Sequence, residues 1–187
     1  MSVDYNYIVI GLIAVLICIA AADHAVIEFK GQINTGGERT FFLGTATVDH
    51  TGEGTSIEIS YRHRNSNETW LFKANKGGGG EITHAGETSS LEATGDFFKR
   101  MEVADLVDAL NKALGFSDPG LVMQEDTLVN SGGQPAMYHF SFEGKRVLTL
   151  LRYTDPRGYS APRDATLNAE GGVKINIKFG RVETNDK

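Results

Sequence analysis

The residues of this 187-residue chain best suited to proton transfer or metal ligation are its five histidines, His24, His50, His63, His84 and His139. No pair of them has the spacing of a helical metal site, and H-E-x-x-H is absent. His63 and His139 fall on the polar sides of predicted strands, the ordinary place for exposed histidines. Asp49-His50 has the types to orient a catalytic imidazole, but no G-x-S-x-G supplies a nucleophile, and turn chemistry accounts for the pair. Gly77-Gly78-Gly79-Gly80 could offer backbone amides to phosphate, yet it lacks the Lys-Ser/Thr that follows a phosphate loop. Asp105/Asp108 and Asp155/Asp164 do not match a calcium-binding loop and read as a solvated helix face and as turn residues. Asn67-Glu68-Thr69 is a glycosylation acceptor only inside a eukaryotic secretory lumen. No catalytic residue, metal ligand or cofactor is assigned from these patterns, and the expectation is a protein that is not an enzyme.

Composition supports that expectation by exclusion. Hydrophobic residues make up 41% and charged residues 22%, a globular mixture rather than a disordered or polytopic one. The chain carries 24 acidic and 18 basic residues, net −6, which gives it no overall electrostatic reason to bind nucleic acid or an anionic bilayer. Local basic runs are confined to Arg62-His63-Arg64 and Lys99-Arg100. The single cysteine, Cys18, lies in the hydrophobic N-terminal stretch, so the rest has no disulfide, thiolate nucleophile or cysteine ligand.

That stretch dominates the reading of where the protein works. Tyr5 to Ala22 holds no charge and would reach roughly 27 Å as a helix, close to the bilayer core of about 30 Å. A transmembrane anchor, residues 1–22, is the leading reading. Lys30 and Arg39 follow the segment and no basic residue precedes it, which places the domain on the cytoplasmic side. The second reading is a signal peptide, since Ala20-Ala21-Ala22 supplies the small-x-small pattern for a cut before Asp23. Its leader lacks the usual basic residue. A helix buried in the protein core is the third.

Residues 23–187 read as one β-rich domain. Ile27 and Phe29 alternate with Glu28 and Lys30, and Ile57, Ile59 and Tyr61 with Glu58, Ser60 and Arg62. A turn at Asn34-Thr35-Gly36-Gly37 leads into a strand from Thr40 to Val48, and Trp70 to Lys73 forms another. Ile82 to Ser90 is weakly patterned and reads as loop. Val103, Leu106, Val107, Leu110 and Leu114 share one face of an amphipathic helix ended by Gly115. Strands return at Tyr138 to Phe142, turn at Glu143-Gly144 into Val147 to Tyr153, and end with Val173 to Phe179. Short connections favour an antiparallel meander. The expected class is α+β: an N-terminal transmembrane helix, then an antiparallel sheet or sandwich with one amphipathic helix.

The function expected from this is a non-enzymatic, single-pass membrane-anchored structural or accessory subunit, with the bilayer and other proteins as partners and no nucleic acid. Interface anchors are typically aromatics and arginine, which selects Trp70, Arg62, Arg64 and Tyr159, although the strand pattern also allows Trp70 a place in the core. The alternative is an exported ligand- or carbohydrate-binding domain released by cleavage after Ala22. An enzyme with a site assembled from scattered polar residues is the third reading.

Overall fold

The computed structural model describes residues 5–18, 23–50, 54–63, 66–75, 79–91, 107–108, 121–127, 136–154 and 160–184. One helix, α1 (Tyr5–Cys18), precedes β1 (His24–Thr35), β2 (Glu38–Asp49), β3 (Gly54–His63), β4 (Ser66–Asn75), β5 (Gly80–His84) and β6 (Glu87–Leu91). Then come β7 (Leu121–Thr127), β8 (Ala136–Phe142), β9 (Lys145–Thr154), β10 (Ser160–Ala169) and β11 (Val173–Thr184). All eleven strands belong to a single antiparallel sheet in the order β6-β5-β4-β3-β2-β1-β11-β10-β9-β8-β7. Two meanders, β1 to β6 and β7 to β11, are thus joined where the first strand pairs with the last. That ladder runs from Ala25 opposite Thr184 to Asn34 opposite Lys174, with a bulge between Ile27 and Phe29.

Two-residue turns set the register. Gly36-Gly37 closes β1–β2, Ala85-Gly86 closes β5–β6 and Glu143-Gly144 closes β8–β9, with both residues of each at positive φ. These are the backbone signs of the turn whose twist matches that of the flanking strands. The stretch from Ile82 to Ser90, read as loop from sequence, is therefore largely the β5–β6 hairpin. Its pattern is faint for a physical reason: the described side chains of β6, Glu87 to Ser90, are all exposed, so an edge strand with no buried face shows no alternation. Of the expected amphipathic helix, Val107 and Asp108 are helical, and its other positions lie outside the described residues.

One face of the sheet is apolar across nearly its whole width. Ile27, Ala46, Ile57, Phe72 and Ile82 form one row through neighbouring strands, all buried. Ile33, Ile175, Leu167, Leu148 and Phe140 continue that face through the other half. Helix α1 packs on it, touching β2 and β3 on one side and β10 on the other. These strands are separated by β1 and β11, so the sheet wraps around the helix instead of lying flat beneath it.

The bend is built into two reciprocal pairs on β1 and β2. Phe29 stands opposite Gly44, and Gly31 opposite Phe42. Each ring covers the glycine across from it: a Cβ on Gly44 would collide with the Phe29 ring and the Glu58 carbonyl oxygen, and one on Gly31 with the Phe42 ring and the Asn176 carbonyl oxygen. The rings meet at 6.5 Å, and Phe42 meets Tyr61 at 5.8 Å, both tilted. Glycine under an aromatic ring removes the side chain that would resist coiling, while the ring restores the apolar contact.

The structure corrects the expected membrane anchor. The helix has 14 residues, about 21 Å, against about 30 Å of hydrocarbon. Among the described residues no helix is long and apolar enough to cross a membrane. The six consecutive residues from Leu12 to Ile17, which cover the full circumference of a helix, are each 3% exposed or less. The chain's own core receives them, with β2, β3 and β10 of the sheet and Val107 packed around it. The reading of a single-pass subunit held at the bilayer by this helix is overturned, and the buried core helix takes its place. The sequence favoured an anchor because an apolar run reports only that it avoids water, and a wrapped sheet meets that requirement as well as lipid does.

The Phe–Gly pairs generate a test. Gly44→Ala is expected to destabilise the fold by roughly 1–3 kcal/mol, the usual cost of forcing atoms into a packed site. Denaturant titration should show a lower midpoint at unchanged slope; an unchanged midpoint would mean that Phe29 and the Glu58 backbone move aside freely.

Candidate functional site

The site with most capacity to hold something is the inner face of the sheet, the one α1 occupies. From Ile8 to Ile17 the helix presents no side chain able to hydrogen-bond, and all its contacts with the sheet there are non-directional. Such contacts select for apolar surface and length rather than for a particular sequence. The inner face is aliphatic along the middle of the slot, with Ile57, Ile59, Ile175, Ile177, Leu148 and Leu150 each 1% exposed or less.

Polar groups enter this face at defined places. On one flank Trp70 stacks on His84, ring centroids 3.9 Å apart and nearly parallel, because the two are direct partners in the β4–β5 ladder. The Glu68 carboxylate reaches His84 Nε2 at 3.3 Å from the same side of β4. On the other flank Arg152 follows Leu148 and Leu150 along the inward side of β9, opposite Ala136 and Pro162. Its Nε is buried and has no hydrogen-bond partner among the described residues. A buried guanidinium nitrogen without an acceptor is costly, so Arg152 brings a cationic donor with unused bonding capacity to this face.

The histidines are dispersed. The Asp49 carboxylate lies 3.9 Å from His24 Nδ1, across the β1–β2 ladder, and the His50 backbone N–H donates to the Asp23 carbonyl at 2.8 Å. His139 sits on the outer side of β8, as its alternation with Tyr138 and Phe140 requires, but at 6% exposure it is buried, with Nδ1 bonded to Thr149 Oγ1 at 3.1 Å. Among the described residues no three His, Cys, Asp or Glu side chains converge as metal ligands. Trp70 is 6% exposed on the inner face, Arg62 is exposed on the outer face, and Arg64 and Tyr159 lie outside the described residues. Arg152 was invisible to sequence reasoning because it reads as one charge ending the apolar run of β9; only the ladder places it beside apolar partners.

The chain matches no known family and no curated protein. Its trace is similar to that of a DUF1329-family protein from Desulfovibrio piger at 8% identity and TM-score 0.40, covering 97% of this chain and 91% of that one. It is also similar to a LolA-superfamily protein from Nitrosomonas europaea, at 8% identity, TM-score 0.40, and 100% and 96% coverage. A third likeness is to a chain of the Pseudomonas aeruginosa MucA/MucB complex, at 10% identity and TM-score 0.42, over 95% of this chain and 56% of that one. At such distances no residue of this chain inherits a role.

Trp70 is the only tryptophan and so reports on its own flank of the site. His84→Ala is expected to brighten and red-shift its emission as the stacked ring is lost, with stability falling by roughly 0.5–1.5 kcal/mol. Emission identical to that of the parent protein would show that the stack does not form in solution.

Proposed function

We propose that this chain is an exported binding domain, cut after Ala22, whose inner face receives an apolar chain-like ligand in the slot that α1 fills. The observation that carries the reading is the enclosure of α1 from Leu12 to Ile17 by non-directional contacts. A sheet face that accepts a featureless apolar rod about 21 Å long and about 10 Å across suits an acyl-type chain on the same terms. While α1 is attached, it competes at the high effective concentration of a tethered segment and keeps free ligands out. Cleavage before Asp23 removes the competitor and leaves the apolar face to be filled. The anchoring role for residues 1–22 has no part in this reading.

The ligand is an anionic amphiphile rather than a carbohydrate. Sugars require hydrogen-bonding groups along their length, and the slot is aliphatic along its middle. Arg152 stands on the same face with an unsatisfied Nε–H, suited to donate a charge-assisted hydrogen bond to a carboxylate or phosphate head. A fatty acid or lysophospholipid combines both features.

Two measurements test this. Intact-mass analysis of the exported protein should give a chain beginning at Asp23, and organic extraction should release an anionic lipid; a full-length chain that yields no lipid would sink the proposal. Arg152→Met in the mature protein should weaken binding of a long-chain fatty acid by roughly 1.5–3 kcal/mol, the worth of a charged hydrogen bond. Affinity for the corresponding alcohol should not change, and equal losses for acid and alcohol would remove Arg152 from the head-group role.

A further inference from the structure

The outer face of the sheet carries a second surface built from strands distant in sequence. Phe41 and Leu43, on β2, are 51% and 62% exposed, two of the few large apolar side chains left in water among the described residues. The ladders set cations around them. Lys30 lies opposite Leu43, Arg62 opposite Phe41 and Arg39 opposite Asn34, while Lys178 pairs with Lys30 and Lys174 with Asn34. All five basic side chains are exposed, and none pairs with a carboxylate among the described residues. Carboxylates border the patch: Glu28 and Glu58 flank Thr45 in the next row, and Asp164, which pairs with Arg163 at 3.8 Å, faces Lys178.

This arrangement carries two costs that the fold does not require. Like charges directly opposite on neighbouring strands, as at Lys30 and Lys178, destabilise a sheet. Large exposed apolar side chains at the centre of a cationic ring forgo burial. Both costs are offset by a partner that is anionic at its surface and apolar just beneath. An open cleft of about 500 Å³ beside Leu43 is lined by Lys30 and Lys178 together with the bordering Glu28, and has the volume for a phosphate head group.

We propose that the Phe41–Leu43 patch docks the protein on the surface of a bilayer containing anionic phospholipid, with the five cations meeting phosphates and the two apolar side chains entering the interface. Shallow apolar insertion combined with a basic ring is the two-signal requirement for stable peripheral attachment. Single-stranded nucleic acid fits the cations but not Leu43, which offers no ring for base stacking. The docking is reversible and makes no use of α1. It stands independently of whether the inner face binds a ligand.

The test uses the purified full-length chain and sedimentation with vesicles of phosphatidylcholine alone or mixed with phosphatidylglycerol. Binding is expected to the mixed vesicles only and to weaken with added salt. Phe41→Ser/Leu43→Ser and Lys30→Ser/Lys178→Ser should each weaken it, the lysine pair by roughly thirtyfold. Trp70 emission checks that each variant is folded; if the β2 pair fails to fold, the lysine pair, on β1 and β11, decides the matter. Equal binding to both vesicle types, or undiminished binding by the folded variants, overturns the proposal. So does displacement of the vesicles by single-stranded DNA at lower concentration than by phosphatidylglycerol, which would assign the patch to nucleic acid.

Discussion

A single antiparallel sheet of eleven strands has one apolar face too large to leave in water, and covering that face is the constraint on which this molecule depends. Here the sheet meets it by wrapping around α1. Burying a Leu, Ile or Val side chain contributes ~1.5–3 kcal/mol, and the helix contributes such residues around its full circumference. Sheet and helix are therefore energetically inseparable in the uncut chain. Whatever removes the helix must be followed by something else that fills the slot, or the inner face becomes an aggregation surface.

Wrapping has its own requirements, and they concentrate where the two meanders join. The β1–β11 ladder makes one sheet out of two, and its bulge between Ile27 and Phe29 sits next to the Phe29–Gly44 and Gly31–Phe42 pairs. Bulges increase local twist, and glycines opposite aromatic rings let the strands coil. The same three strands then expose Phe41, Leu43, Lys30, Arg39, Lys174 and Lys178 on the outside. The bulge, the Phe–Gly pairs and the outer patch thus share one region of the sheet.

Much of the sheet could be read directly. The alternations at Ile27/Phe29, Ile57/Ile59/Tyr61 and Val173/Ile175/Ile177 place those residues on the buried face, and Gly36-Gly37 and Glu143-Gly144 are turns. Local pattern carries such information because a strand with one wet face repeats every second residue. The β5–β6 hairpin escaped because its outer strand is wet on both faces, and β7, with Val122 exposed, offers little more contrast. The fate of residues 5–18 escaped for a different reason. Hydropathy states that a segment leaves water and is silent on whether lipid or protein receives it.

Electrostatics shows the same limit from the other side. A net charge of −6 counts residues without regard to place, and the basic runs visible along the chain were short. Strand pairing gathers Lys30, Arg39, Arg62, Lys174 and Lys178 from four strands spread over most of the sequence. In antiparallel ladders each outward residue meets two neighbours from other strands, so side chains far apart in the chain become adjacent on the surface. At physiological ionic strength the Debye length is about 8 Å, so a bound surface responds mainly to the charges nearest to it. For this fold the informative quantity is the charge of a ladder row, and the acidic total of the whole chain does not forbid an anionic partner.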